Sequence, residues 1–346
     1  MNLKQELAKI RKGTNLSARE AEELFSLLLT DSSIPDSLIG AILMALQMKK
    51  ETFLEVVGTV LAVRSVGGYP QRSIRPDLMD ICGTGSDGAS TVNISTATAF
   101  ILAAAENCLP VAKHCGGSSS GTSGSLDVLR ELGVRTAENL QEALEDLERY
   151  RVCFMSAPAF HPTLGRINRI RKEIGGSTIF NLALPLANPL GIAVQLVGVT
   201  GYKALEQVSR AAQELGGRHI IILIGHGGVD EITLEGKGEA YEFVFSVGGS
   251  SVVNKKHELW TSDLPSVGMR PSSRQHLCVE NSFQSAMRIR AVLDGASGPV
   301  TDTILLNAGI GLYLGEVVDS WFDGVRYAQE LLRSGAAKAV FQAMQK

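Results

Sequence analysis

Aromatic residues make up only 5% of the chain, and its five cysteines include no CxxC pair. A β-sandwich would carry more aromatic and β-branched residues. The odd cysteine count and wide spacing (Cys82, Cys108, Cys115, Cys153, Cys278) argue against a disulfide framework and against a zinc site. Neither sign of charge dominates: 33 Lys plus Arg against 36 Asp plus Glu leaves a net −3. There is thus no general electrostatic reason to bind nucleic acid. The start, MNLKQELAKI, lacks the apolar run of a secretory leader. No GxxxxGK[ST] and no GxSxG occurs, so neither a P-loop nor a hydrolase elbow is present. One uncharged stretch, 179–199, is long enough to cross a bilayer. It contains Asn181, Pro185, Asn188, Pro189 and Gln195. Two prolines four apart break a helix, and buried amides are costly in lipid. The stretch reads as a buried hinge followed by a core strand, and the chain as a cytoplasmic protein.

What is present is glycine, 36 of 346 residues, which suits tight turns and close backbone approaches in an α/β fold that binds phosphorylated ligands. This length allows about two domains. Residues 1 to about 70 read as helices. Ser17 with Glu20 three residues later forms a capping-box pattern ahead of AEELFSLLL, where Ala21, Leu24, Phe25 and Leu28 keep helical spacing. DSLIGAILMALQM and TFLEVVGTVLAVRSV repeat that period. From about residue 78, short apolar runs end in glycine-rich or polar turns, with helices between: LMDIC into GTGSDG, RVCFM into SAPAF, HIIILI into GHGG and Asp230-Glu231. This alternation predicts an α/β domain with a mainly parallel sheet, and places the turns at the carboxyl ends of strands, where ligands sit. TLGRINRIRKEIGGST reads as a basic surface helix stopped by glycine, and the tail from Ser320 as helical again.

Four features carry chemistry. Gly83-Thr84-Gly85-Ser86-Asp87-Gly88 precedes Asn93-Ile94-Ser95-Thr96 at a predicted helix start. Glycines let backbone N–H groups approach phosphate oxygens, and the helix N-terminus and hydroxyls add donors. Asp87 has no capping role and would face a ribose hydroxyl or a metal-bound water. Next, Lys113 to Ser125 joins a strand-like LPVA to the helix LDVLRELG and is too polar for core, which predicts a mobile loop closing over an anion. His114 in it is a possible base, and Cys115 a possible reactive thiol. Third, the adjacent carboxylates Asp230 and Glu231 suit Mg²⁺, which prefers oxygen ligands shared with phosphates. Fourth, Arg166, Arg169, Arg171 and Lys172 include a potential carboxylate fork, although most read as a solvated face.

These motifs, in this order over nearly the whole chain, resemble the anthranilate phosphoribosyltransferase family. The likeness rests on DICGTGSDGASTVNISTATAF, VAKH with its Ser/Gly loop and SGSLDVLRELG, SAPAFHPTLGRINRIRKEIGGSTIFN, PLANPLG, QLVGV, DEITLEG and GPVTDTILLNAGIGLYLG. It implies a nucleoside phosphorylase-like fold: a small N-terminal helical domain (1–72, joined by about 163–188) beside a large α/β domain (73–162 and 189–346). It also implies a homodimer through the helical domain. The implied activity is that of a Mg²⁺-dependent pentosyltransferase of tryptophan biosynthesis, moving the phosphoribosyl group of phosphoribosyl pyrophosphate to the nitrogen of an aromatic acceptor. By that resemblance Gly83, Thr84, Gly85, Asp87, Asn93, Ser95, Thr96, Lys113 and Ser125 bind the donor. Ser95, Asp230 and Glu231 hold Mg²⁺. His114, Ala157, Pro158, His161 and Arg171 bind the acceptor, Arg171 through its carboxylate.

The acceptor half departs from the family pattern. Gly116 and Gly117 stand where the family has its anthranilate-loop Asn, Thr122 where it has a loop Lys, Leu164 where a Tyr is expected and Leu184 where a Gly is usual. The expectation is an intact donor half with a rebuilt acceptor half, taking anthranilate or a related aromatic acid or amine. Two rival readings use the same residues. One is a pyrimidine-type nucleoside phosphorylase, whose phosphate-binding Lys is absent from DGASTVN. The other is a non-catalytic nucleic-acid-binding relative, using the basic helix around Arg166 to Lys172.

Overall fold

A computed structural model describes residues 1–85, 90–117, 123–246 and 251–345, with side chains from Asn254 onward in the last segment. The parts of the first motif around Asp87, and of the polar loop around Thr122, lie outside the described residues. Seven strands form one sheet: β1 (Arg75–Gly83), β2 (Val111–Cys115), β3 (Val152–Ser156), β4 (Ile192–Gly198), β5 (His219–Ile224), β6 (Lys237–Phe245) and β7 (Ser251–Trp260). Their order is β3-β2-β1-β4-β5-β6-β7. The first five in sequence run parallel, and β6 and β7 extend the sheet as an antiparallel pair. The chain winds outward from β1 through β2 to β3, then returns to place β4 on the other side of β1. Such a reversal opens a crevice at the carboxyl ends of β1 and β4.

The α/β layering follows from strand burial on both faces. In β5, Ile221 and Leu223 belong to a core with helices Ile94–Ala103, Pro299–Leu314 and Trp321–Arg333. Ile220, Ile222 and Ile224 alternate to the opposite face, into a second core with the N-terminal helices. Those helices are Leu3–Arg11, Ala18–Thr30, Asp36–Lys49 and Phe53–Gly67. The capping box of Ser17 and Glu20 forms, with Ala21, Leu24, Phe25 and Leu28 buried. A second box, Thr52 with Glu55, opens helix Phe53–Gly67. Glu55 is fully buried, pairs with Lys49 at 2.9 Å and accepts from the Leu16 N–H at 2.9 Å, so one carboxylate ties three segments. Arg64 is buried on the same helix and donates to the carbonyls of Gln71 and Leu186, fastening the bundle to both linkers of the α/β part.

Two expectations need correction. The basic stretch after His161 is helix Leu164–Ile174, stopped at Gly175 (φ 72°), and it is half-buried: Leu164, Ile167, Ile170 and Arg171 face inward against helix Asp36–Lys49. Lys113, His114 and Cys115 are not loop but the end of β2, because each pairs in register with β3. The antiparallel β6–β7 pair was not anticipated. Its outer member reads SVVNKKHELW, charged in the way that protects an edge strand from pairing with another chain. The uncharged stretch 179–199 forms a short helix Ile179–Ala183, a 3₁₀ turn and β4, and no helix among the described residues is long and apolar enough to cross a membrane.

The antiparallel extension is pinned by Glu242. Its carboxylate oxygens lie 2.9 Å from His219 on β5 and 2.9 Å from His257 on β7, and it accepts from Tyr313 of helix Pro299–Leu314. Burial opposes its charge, but these hydrogen bonds outweigh burial and hold the carboxyl well below the usual glutamate range. A depressed folded-state pKa stabilises above the unfolded value and is lost as pH falls. Glu242→Gln is therefore expected to cost about 2 kcal/mol at neutral pH. The gap to the parent should close as pH drops below the ordinary value of 4.5. Denaturant unfolding across that range measures it, and a pH-independent gap would contradict the assignment.

Candidate active site

A cavity of about 480 Å³ opens at the carboxyl ends of the strands. The glycine turn after β1, the ends of β2 and β3, helix Leu164–Ile174, the hinge at Asn181–Pro185 and Asp230-Glu231 all line it. Of the residues expected from the sequence, Gly83, Thr84, Gly85, Asn93, Ser95, Lys113, His114, Ser125, Ala157, Pro158, Arg171, Asp230 and Glu231 meet there. Thr96 and His161 do not line it. Thr96 is buried in the first turn of helix Ile94–Ala103, and His161 stands behind His114.

Close backbone approach builds the carboxylate corner. Segment 225–231 folds back over the ends of β1 and β4. A Cβ on Gly83 would lie 2.2 Å from Asp230 Oδ2, and one on Gly198 only 1.7 Å from the Asp230 carbonyl oxygen. Asp230 Oδ2 accepts from the Gly85 N–H at 2.9 Å, and the Thr84 N–H donates to the Gly198 carbonyl at 2.9 Å, so the turn and the acidic segment hold each other. Ser95 sits in the first turn of helix Ile94–Ala103, whose N-terminus is positive and faces the cavity. The oxygens of Ser95, Asp230 and Glu231 are hard donors without sulfur or imidazole among them, which suits Mg²⁺ rather than zinc.

Two buried cations face the cavity. Lys113, 3% exposed, donates to the Ile81 carbonyl at 2.6 Å and to Ser95 Oγ at 2.9 Å. Beneath it Asp80 is fully buried. Burial pushes its carboxyl up to about 6, against the pull of Lys113, and it accepts from Asn188 Nδ2 at 2.9 Å. Arg171, 5% exposed, donates to Asn168 Oδ1 at 3.0 Å and Asn181 Oδ1 at 3.1 Å, and lies 5.8 Å from the Phe180 ring centre. It makes no ion pair among the described residues, and burial lowers it only to about 10, so it stays charged at neutral pH. Asn181 also donates to the Thr84 carbonyl at 3.1 Å, joining Arg171 to the glycine turn. Its neighbours on the basic helix have structural work: Arg166 and Arg169 both bind Asp36. That leaves few of the free cations a nucleic-acid surface would need.

The polar side groups near the second end are quiet. His114 and His161 pack edge to face with ring centres 4.9 Å apart, and Tyr69 packs on His161 at 5.4 Å. Burial drives His114 well below its ordinary value and His161 down to about 4, so both are neutral imidazoles. Cys115 is buried and its thiol is pushed up to about 11, which makes it a filler and not a nucleophile. Leu164, Leu184, Ala157, Pro158 and Phe180 give this end an apolar lining around Arg171. Gly116 sits at its edge, with no atom of the described residues within 4 Å of where a Cβ would be.

Sequence reading missed Gly198, Asn181 and Asn188. Each acts through a contact far along the chain. Gly198→Ala tests the corner directly: with no room for a methyl, Asp230 and Glu231 must shift. Since a misplacement near 1 Å costs about a hundredfold, any activity that depends on a cation held at this corner should fall by at least about that factor. Gly165→Ala, whose Cβ meets no atom of the described residues within 4 Å, should leave it within about twofold.

Comparison with known proteins agrees with this geometry. A family described as "Glycosyl transferase family, a/b domain" matches residues 75–338, and one described as "Glycosyl transferase family, helical bundle domain" matches residues 4–67. The anthranilate phosphoribosyltransferase of Oceanobacillus iheyensis is 36% identical over 335 residues, covering 97% of this chain and 95% of the relative. That of Laribacter hongkongensis is 36% identical over 334 residues, covering 96% and 94%. Among solved structures, anthranilate phosphoribosyltransferase from Thermus thermophilus superposes with a TM-score of 0.82 at 29% identity, over 98% of this chain and 97% of that one. The Saccharomyces cerevisiae enzyme in complex with PRPP and Mg shares the fold, with a TM-score of 0.84 at 23% identity, over 99% and 96%. With both of its domains matched and with relatives at this identity along nearly its full length, the chain belongs to the glycosyl transferase family represented by the anthranilate phosphoribosyltransferases.

Proposed function

We propose that this protein transfers the phosphoribosyl group of phosphoribosyl pyrophosphate to the amino nitrogen of anthranilate and releases pyrophosphate, with Mg²⁺ as cofactor. The observation that carries the reading is Arg171: a buried guanidinium with only neutral partners, in the same cavity as a glycine turn, a helix N-terminus and two carboxylates. A cation kept in that state suits an acceptor that brings its own carboxylate. The names of the curated relatives support anthranilate as that acceptor. Leu164, Leu184 and Phe180 would pack on its ring, and Gly116, which lines the same cavity, marks where this pocket differs from the family pattern.

The reaction forms a bond from the amino nitrogen to the anomeric carbon and breaks the bond from that carbon to the pyrophosphate oxygen, which leaves with the electron pair. An aromatic amine keeps a free lone pair at neutral pH, so no protein base is needed to activate it. The nitrogen's surplus proton passes to pyrophosphate or solvent. Ser95, Asp230 and Glu231 would hold Mg²⁺, which when bound would neutralise charge on the leaving pyrophosphate. The chain itself binds and orients. The positive N-terminus of helix Ile94–Ala103, with Ser95 in its first turn, lines the end of the cavity that would take the phosphates, Lys113 adds a positive charge there, and Arg171 aims the acceptor. Neutral His114 lets an uncharged amine sit beside it without competing for the proton.

The wider reading includes a domain division at 1–72 with 163–188, supported by the packing of helices Leu164–Ile174 and Ile179–Ala183 on the N-terminal bundle. It includes a homodimer through that bundle, supported by apolar surface at Met48, which is 79% exposed. A cytoplasmic biosynthetic enzyme is the setting these features fit.

The test is pyrophosphate release with phosphoribosyl pyrophosphate, Mg²⁺ and anthranilate. Release that stops on chelating the metal is the expected result, and none with anthranilate would overturn the reading. Arg171→Met should raise the KM for anthranilate by about a hundredfold, as a lost charged pair costs about 3 kcal/mol, while donor affinity stays within about twofold.

A further inference from the structure

The site has a backing strap from the far end of the chain. Segment 90–92 is stitched to 277–279: the Val92 N–H donates to the Leu277 carbonyl at 2.9 Å, the Val279 N–H donates to the Ser90 carbonyl at 2.8 Å, and Thr91 bridges Cys278. One step further, Ser285 of helix Ser282–Leu293 reaches Asn93, at the mouth of helix Ile94–Ala103. Ser285 is fully buried. Its Oγ accepts from the Asn93 backbone N–H at 3.1 Å and donates to Asn93 Oδ1 at 2.9 Å. Ser123 Oγ, 30 residues away in sequence, donates to the same Oδ1 at 3.0 Å.

The two serines set which way the carboxamide points, since both contact its Oδ1. A serine hydroxyl has one proton. Ser285 accepts from the Asn93 N–H through one lone pair and gives its single proton to the side-chain oxygen of the same residue. With Ser123 doing the same, Oδ1 is saturated by two hydroxyl donors. The Nδ2 group is turned away from both serines, and Asn93 lines the cavity. An amide NH₂ presented there is a donor for an anionic oxygen, whereas the flipped amide would present an acceptor and repel it.

We infer that Ser285 is a positioning residue for donor binding: it acts through Asn93, holding that carboxamide with its N–H groups toward the phosphoribosyl pyrophosphate end of the cavity. This rests on the proposed function for the identity of the anion. The serine lies 192 residues from the asparagine it orients, so the C-terminal third of the chain, which among the described residues lines the cavity nowhere after Glu231, would still set donor affinity.

A double-mutant cycle tests it, by calorimetric titration of phosphoribosyl pyrophosphate with Mg²⁺ into the parent, Ser285→Ala, Asn93→Ala and the double variant. Ser285→Ala should weaken donor binding about tenfold, equivalent to about 1.4 kcal/mol, and add nothing in the Asn93→Ala background. The KM for anthranilate should stay within about twofold. Additive losses, or a Ser285→Ala protein that binds like the parent, would overturn the inference. If the parent itself fails to bind the donor, the proposed function falls, and a crystal structure of Ser285→Ala then decides this point. A rotated Asn93 carboxamide supports the positioning role, and an unchanged one refutes it.

Discussion

A buried guanidinium without an acid beside it is an expensive thing to keep, because desolvation costs several kcal/mol per ion and neutral hydrogen bonds return only part of it. Arg171 is kept in that state by Asn168 and Asn181. Much of the surrounding structure follows from the need to hold it. The helix that carries it is anchored by Arg166 and Arg169 on Asp36, and its inner face is sealed by Leu164, Ile167 and Ile170. The amide that satisfies it, Asn181, is also the one that reaches the glycine turn through the Thr84 carbonyl. The two halves of the cavity, one suited to phosphates and one to an apolar ring with a carboxylate, are thus joined by a single side chain. Lys113 repeats the theme at the other end, with a carbonyl and a hydroxyl as its direct partners. A site of this kind is preorganised for anions and most comfortable when they are bound.

The sheet makes this arrangement possible. The reversal of strand order at β1 and β4 leaves a crevice, and Gly83 and Gly198 at those two strand ends leave space for Asp230 to settle against bare backbone. The helical bundle closes one side through the hinge at 179–187, which Arg64 holds by the Leu186 carbonyl and Asn188 ties to Asp80 and the Ala112 carbonyl. The C-terminal helices and the 277–285 strap supply the other support. Little covalent chemistry is asked of the protein, and its neutral histidines and inert Cys115 fit a catalyst that works by placing two substrates.

What could be read from the sequence was what is local. A glycine turn running into Asn-Ile-Ser-Thr suggests a helix start suited to phosphate within a dozen residues, adjacent Asp230-Glu231 suggests oxygen ligands, and the structure brings both to one cavity. The α/β alternation and the capping box at Ser17 are equally short-range, and both are present. The polar run at Lys113 misled because its polarity is resolved by partners elsewhere: Ile81 and Ser95 satisfy the lysine, and pairing with β3 makes the segment strand. Arg171 was legible as a charge but not as a buried one, since its burial depends on hinge residues ten positions on. Gly198 and Ser285 carry no local signal, and Asn181 shows locally only as a helix cap with Thr178. Their meaning lies in contacts across 32, 97 and 192 residues, which no window along the chain contains. Asp87 and Thr122 lie outside the described residues.

The central claim is that a carboxylate from the acceptor completes Arg171. It is tested most directly by removing that carboxylate from the substrate and leaving the protein untouched, comparing kcat/KM for anthranilate and for aniline with phosphoribosyl pyrophosphate and Mg²⁺. The account predicts that aniline is worse by about a thousandfold or more, roughly 4 kcal/mol of transition-state stabilisation. Aniline within about tenfold of anthranilate would contradict it, and would mean that the buried arginine serves the fold and not the acceptor.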